Sequence, residues 1–248
     1  MEFVNSYSGI RLNIHNEFDS LLDYIFKTPQ FIDGQVAIEL RKLDSYFPAQ
    51  SGPNPDEHVT YLRNLRSEIE GAKLFNDFPS FMAASNLFLA AAVFERFLYE
   101  ICKKVESAEL QLSDQRGNGI GRYFGFFCKV GLLPDKTSFY QQIDSAIAFR
   151  NALLHADGRI EICRDSSKIE RIVRNHLYIE PSRRLNGPRI DENGHPEVGL
   201  SGCPVQLKID NFYVYRATAY FRDYLLDFTK QAMIDVRSWG CENNTGAS

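Results

Sequence analysis

The sequence predicts a mainly α-helical protein, an up-and-down helical bundle with a small β-containing insertion between its last two helices. Through most of the chain, apolar residues recur every three or four positions, which is the spacing of one face of an α-helix. The segment 81–105 is apolar on most sides, as is typical of the central helix of a bundle. Between 159 and 209 the pattern changes to short β-like runs separated by glycine, proline and asparagine.

The first part of the chain contains four predicted helices. The first is expected to end at Thr28-Pro29, because the residue before a proline disfavours the helical conformation. A Gly/Pro-rich connection follows the second, and Pro79 opens the fourth and most hydrophobic one. The predicted helices cover 15–26, 36–46, 57–75 and 81–105.

The second part contains the helix with the most informative motif, predicted over 136–156. A polar, glycine-rich loop and a short helix are expected before it, at 112–121 and 123–130, and a last helix over 211–236. The expected β-like runs are 159–163, 176–180 and 205–209. We predict one domain over 1–248, with an N-terminal helical extension at 1–78, the bundle core at 79–158 and 210–237, and the insertion at 159–209.

The composition is that of a globular protein with a sizeable core. The 248 residues fit one large domain, or a domain with an appended piece, and 44% of them are hydrophobic. The net charge of −4 argues against a surface that attracts nucleic acid along its whole length, although it leaves room for a small basic site.

The sequence also predicts a cytoplasmic protein that does not interact with a membrane. No uninterrupted apolar run reaches the roughly 18–20 residues of a membrane span, and the first residues lack the pattern of a signal peptide. Five cysteines are scattered without a CxxC pair. Reduced thiols in the cytoplasm are therefore expected.

The nine residues 150–158 (Arg-Asn-Ala-Leu-Leu-His-Ala-Asp-Gly) carry the candidate chemistry. Arg150 and His155 lie five positions apart near the end of an apolar predicted helix, and Gly158 is expected to end that helix. Arginine keeps its charge at physiological pH, whereas histidine titrates near neutrality. Together they can hold a phosphate and move a proton, which is the minimum for RNA cleavage without a metal.

The predicted position of Arg150 around the helix is unusual. The spacing of Phe139, Ile143, Ile147 and Leu154 predicts one buried face, and Arg150 falls on that face. A charge facing a core needs a partner carboxylate, a ligand or a second subunit. The alternative to a catalytic role is therefore a structural ion pair, next to a helix-terminal histidine that the helix dipole favours.

At these residues the chain resembles the HEPN family of helical domains associated with nucleic acids. The family motif is an arginine, four to six residues and a histidine, often with asparagine directly after the arginine, and 150–158 is similar to it. The preceding long helix also resembles that of the family, with Glu95 in the apolar context 94–98. The resemblance covers roughly 81–156 and, more loosely, 211–236. It implies a helical bundle that forms a symmetric homodimer and cleaves RNA without a metal, in a microbial toxin–antitoxin or antiviral defence system.

The candidate catalytic residues are Arg150, Asn151, His155 and Glu95. We expect His155 to act as general base on the ribose 2′-hydroxyl or as general acid on the leaving 5′-oxygen, while its symmetry mate takes the other role. Arg150 would stabilise the phosphorane-like transition state, and Asn151 would orient the phosphate or the histidine. Glu95 would hold Arg150 if it faces the motif helix.

Three further arginines, Arg116, Arg122 and Arg159, are the predicted RNA contacts. The first two flank the glycine-rich run 117–121, which lacks the Gly-Lys-Ser/Thr ending of a phosphate-binding loop and is expected to be a flexible connection.

No cofactor and no metal are expected, because the histidines and cysteines show no ligand spacing. The expected partners are RNA, a second copy of the chain, and an antitoxin or regulatory protein. The competing prediction is a catalytically inactive HEPN-like module that binds RNA or a protein.

Overall fold

The structure, a computed structural model, describes residues 2–46, 56–175, 207 and 209–242. This part of the chain is mainly helical, as predicted. Its α-helices are α1 (Glu2–Tyr46), α2 (Glu57–Ala72), α3 (Phe78–Val105), α4 (Gly119–Lys129), α5 (Tyr140–Ala156), α6 (Ser166–Asn175) and α7 (Asn211–Glu242). A π-helical turn, Lys73–Asp77, joins α2 to α3, and short 3-10 turns lie at Leu112–Asp114, Pro134–Lys136 and Ile160–Ile162.

Helix α3 lies at the centre of a helical bundle and packs against α1, α4, α5 and α7. Ala83, Ala90 and Ala91 are fully buried and allow close helix approach, while Phe94 stacks on Phe221 of α7 with 4.6 Å between ring centroids. The buried hydroxyl of Tyr224 donates a hydrogen bond to the carbonyl oxygen of Pro134 at 3.2 Å. A stacked aromatic pair such as Phe94 and Phe221 contributes about 0.5–1.5 kcal/mol beyond the free energy of burying its area. The central segment predicted from its composition is therefore the core helix.

The predicted helix boundary at Thr28-Pro29 is wrong, because α1 continues through Pro29. Proline has no backbone N–H, so it cannot donate the helical hydrogen bond to the carbonyl oxygen of Ile25. The side chain of Asn211 replaces that donor, with 2.6 Å between its Nδ2 and the Ile25 oxygen. A contact with α7 therefore allows the two predicted helices to form one.

The N-terminal half of α1 packs into the bundle core, although it lies within the segment 1–78 that was predicted as an extension. Ile14, Phe18 and Ile25 are fully buried and belong to one apolar cluster with residues of α3 and α7. Helix α2, by contrast, has no buried residue. The described part of the 1–78 segment therefore divides into a packed part and a more exposed part.

The predicted β-containing insertion is not seen in the described part of 159–209. Where a strand was expected at 159–163, Ile160–Ile162 forms a 3-10 turn, and Ser166–Asn175 is the helix α6. Ile169, Ile172 and Val173 have helical spacing and are buried, so packing favours a helix despite their β-branched side chains.

The rest of that insertion is only partly described. The predicted strand at 176–180 lies outside the described residues, as do 205, 206 and 208 of the last predicted strand. Leu207 and Ile209 are buried, and neither belongs to a strand. The N–H of Leu207 donates to the carbonyl oxygen of Gly158 at 2.6 Å, which holds the end of the insertion against the end of α5.

One helical stretch in the described residues, Glu57–Val105, is long and apolar enough to cross a membrane. Length and hydropathy alone do not separate such a span from the core helix of a bundle. Ten residues of α3, within this stretch, are buried in the protein.

Candidate functional site

The motif helix α5 is fixed at both ends by residues with left-handed backbone. Phe139 precedes it at φ 65°, and its ring stacks on Tyr220 with 5.3 Å between centroids. At the other end Asp157 has φ 50° and Gly158 has φ 71°, and the N–H of Gly158 donates to the carbonyl oxygen of Ala152 at 3.0 Å. Glycine tolerates this conformation, so the helix ends where the sequence predicts.

The predicted buried face of α5 is confirmed at Ile143, which is fully buried, and is wrong at its two ends. Phe139 and Leu154 are 37% and 45% exposed. At about 100° per residue, the buried positions of the second half of α5 lie roughly 100–160° around the helix from Arg150. These positions are Ala148, Phe149, Ala152 and Ala156. The change of buried face has a packing cause, since the large Phe149 ring enters the core between small residues, with 5.4 Å between its centroid and that of Tyr213.

Arg150 therefore lies at the edge of the bundle, where its side chain is half-buried. Its Nη1 donates to Oδ1 of Asn151 at 2.9 Å, while its Nε is buried and has no hydrogen-bond partner among the residues that the structure describes. Within the described ranges, no carboxylate forms an ion pair with Arg150, so the structural ion pair considered for it is not found there. A buried donor without an acceptor is costly, so the described residues alone do not satisfy the guanidinium.

Asn151, Leu154 and His155 are exposed beside Arg150, and we call these four residues the motif face. The structure brings Arg150 and Asn151 into contact. No hydrogen bond among the described residues joins His155 to either of them. The motif face thus presents one permanent cation and one histidine on an open surface, without an assembled acid–base pair.

Glu95 is not brought to Arg150. Its Oε1 lies 3.9 Å from the place that a Cβ would occupy on Gly119, at the start of α4. Burial, and then the Glu95 carboxylate, raise the pKa of Tyr123 on the same helix. In the part of the chain that the structure describes, Glu95 forms neither an ion pair nor a hydrogen bond with Arg150.

The three predicted RNA contacts differ in their surroundings. Arg116 and Arg159 are exposed, and Arg159 follows directly after the end of the motif helix. Arg122 is half-buried, and its Nη2 donates to the carbonyl oxygen of Leu112 at 2.8 Å. Arg122 is therefore engaged in holding the chain before α4, whereas the other two side chains are open to solvent.

The predicted loop at 112–121 is shorter in the structure, because α4 begins at Gly119 and already contains Arg122. Gly117 and Gly119 have φ values of 115° and 56°, which explains the glycines in this run. The short helix predicted at 123–130 is confirmed with an earlier start.

Sequence reasoning missed the exposed apolar residues next to the motif. Leu154 was predicted to be buried, and Ile162, in the turn that follows α5, was predicted to lie in a strand. They are 45% and 57% exposed. Nothing in the local sequence distinguishes an exposed leucine from a core leucine, since both continue an apolar helical pattern.

Within the described residues, no group of three His, Cys, Asp or Glu side chains is placed to hold a metal ion. Comparison of the chain with protein-family models, with curated proteins and with solved structures finds no match.

Proposed function

We propose that this protein is a metal-independent endoribonuclease whose active site is completed by a second copy of the chain. The observation that carries the proposal is the motif face, where an arginine without an ion-pair partner in the described ranges lies beside an exposed Asn151 and His155. The resemblance of 150–158 to the HEPN motif supports the same chemistry. A microbial toxin or antiviral defence role in the cytoplasm, with an antitoxin or regulatory protein as a further partner, belongs to the proposal.

A homodimer explains why the motif face is open in one protomer. A symmetric interface pairs the same patch on both copies, so a two-fold axis near α5 would place two motif faces around one cleft. The exposed Leu154 and Ile162 are the apolar contacts that such pairing would cover. Each copy then supplies one arginine and one histidine, which gives the cleft the pair of proton-transfer groups that one copy lacks.

In this cleft one His155 takes the proton of the ribose 2′-hydroxyl, and the 2′-oxygen attacks the phosphorus atom. The His155 of the other copy gives a proton to the leaving 5′-oxygen. The products are a 2′,3′-cyclic phosphate and a 5′-hydroxyl. Arg150, oriented by Asn151, stabilises the negative charge of the transition state. The exposed Arg159 and Arg116 contact the RNA backbone.

The test is cleavage of RNA by the purified full chain in EDTA, with analysis of the product ends. Arg150→Ala is expected to lower kcat by roughly 10²–10³-fold, as loss of one charge-stabilising donor does. Leu154→Glu places a charge in the proposed interface and is expected to lower the dimer fraction and the activity together, whereas Glu161→Gln, an exposed change nearby, leaves both unchanged. Cleavage by Arg150→Ala at the wild-type rate, or products without cyclic phosphate, would contradict the proposal.

The second candidate function is a catalytically inactive HEPN-like module that binds RNA or a protein. The specific observation that favours it is the placement of Glu95 toward α4, away from Arg150, which leaves the motif without the predicted orienting carboxylate. A dimer that binds RNA and leaves it intact would support this candidate and overturn the first.

A further inference from the structure

A cavity far along the chain from the motif lies between the second half of α1, the π-helical turn and the start of α3. Its volume is about 140 Å³. An engineered, enclosed apolar cavity of about 150 Å³ in another protein binds benzene, so this space, which is open to solvent on one side, is large enough for one six-membered ring. The apolar walls include Ile32, Val36, Leu74, Phe75 and Met82.

Two irregular features of the backbone form the cavity. Pro29 lines the cavity, and so do Leu74 and Phe75 of the π-helical turn. Leu74 in that turn is 2% exposed and closes the inner side, while the next residue, Phe75, is 63% exposed at the mouth. π-Helical turns are rare and are frequent at functional sites. The π-helical turn therefore supports a binding role for this region.

The polar groups of the cavity define the charge of its ligand. Both polar atoms of the Asn211 side chain are engaged, Nδ2 with the Ile25 carbonyl oxygen and Oδ1 with Asn86. Asp33 is exposed at the rim and forms no ion pair or hydrogen bond with any other described residue. The cavity thus combines an apolar interior with one available carboxylate.

We propose that this cavity binds a small aromatic amine, with the ring among the apolar side chains and the ammonium group at Asp33. The proposal does not depend on the ribonuclease activity, and its test does not measure RNA cleavage.

The test uses NMR of the full chain labelled with ¹³C at the methionine methyl groups. The chain has three methionines, and Met82 is the one that lines the cavity. We expect benzylamine to shift the Met82 signal saturably in the millimolar range, benzyl alcohol to shift it more weakly, and benzoate to have no effect. Asp33→Asn is expected to weaken benzylamine binding roughly twofold to fivefold, as for an exposed ion pair, without changing benzyl alcohol binding.

Two variants on α1 complete the experiment. Val36→Phe fills the cavity and is expected to abolish the shift, whereas Ala37→Phe, an exposed neighbour outside the cavity, leaves it intact. If Val36→Phe does not fold, the comparison of the three probes and Asp33→Asn decides the question. Equal binding of benzoate and benzylamine would overturn the proposal. A Met82 signal that none of the probes shifts would also overturn it. So would a Met82 signal that shifts only with protein concentration, because a side chain of a second copy would then fill the space.

Discussion

Replacing Asn211 by alanine removes the contact that allows α1 to continue through Pro29. Nδ2 of Asn211 donates to the carbonyl oxygen of Ile25 at 2.6 Å, and Oδ1 accepts from Nδ2 of Asn86 at 3.2 Å. Ile25 is fully buried and Asn86 is 3% exposed, so the variant leaves two buried polar groups without partners. Each such group costs roughly 1–3 kcal/mol, which gives an expected loss of about 2–6 kcal/mol in the free energy of unfolding.

A double-mutant cycle separates this explanation from a general packing effect. Pro29→Ala restores an N–H that can donate to the Ile25 oxygen, so Asn211→Ala should cost at least about 1 kcal/mol less in that background. The assay is urea unfolding followed by far-UV circular dichroism, with the slopes compared between variants. Thr218→Ala is the matched control, because its buried hydroxyl bonds to Val214 within α7 and its cost should be the same in both backgrounds. Equal costs of Asn211→Ala with and without Pro29, within roughly 0.5 kcal/mol, would refute the reasoning.

Three further predictions test the motif helix and the thiols. Phe149→Ala is expected to cost about 3–5 kcal/mol and Leu154→Ala less than about 0.5 kcal/mol in urea unfolding at protein concentrations low enough to keep the chain monomeric, since the first side chain is fully buried in one protomer and the second is 45% exposed there. The reverse order would mean that α5 is rotated. Gly158→Ala places a Cβ at φ 71° and is expected to cost about 1–2 kcal/mol, and an unchanged unfolding midpoint would argue against this helix end. Iodoacetamide with mass mapping should modify the exposed Cys128 in the native protein and Cys102 only after unfolding, because burial raises the pKa of the Cys102 thiol; early labelling of Cys102 would contradict its burial.

The sequence was sufficient for the features that depend on local spacing. The apolar pattern of 81–105 predicted the core helix α3, and Gly158 predicted the end of α5. The continuation of α1 could not be predicted in this way, because the group that replaces the missing N–H of Pro29 is on Asn211, 186 positions from the Ile25 oxygen that it bonds. Local rules describe what a proline removes and cannot show what a distant side chain supplies.

In the candidate site, too, the features set by local spacing were predicted and those set by packing were not. One helical turn places Asn151 and His155 on the same side, and both are exposed together in the structure. The sequence has apolar residues on several sides of α5, so it does not show whether Phe149 or Leu154 enters the core. Packing against the neighbouring helices buries Phe149 and leaves Leu154 exposed. The direction of Glu95 is likewise decided by the position of α4 beside α3.

Cleavage of RNA by the purified full chain in EDTA, comparing wild type with His155→Ala and with His58→Ala, tests the proposed ribonuclease site most directly. His155 and His58 are both exposed helical histidines, and His58 on α2 lies outside the motif face, so it controls for the loss of an imidazole in general. We predict cleavage by wild type and by His58→Ala, and a loss of roughly 10²–10⁴-fold in His155→Ala. Equal cleavage by all three proteins would contradict a ribonuclease site on α5. So would a wild-type dimer that binds RNA without cleaving it.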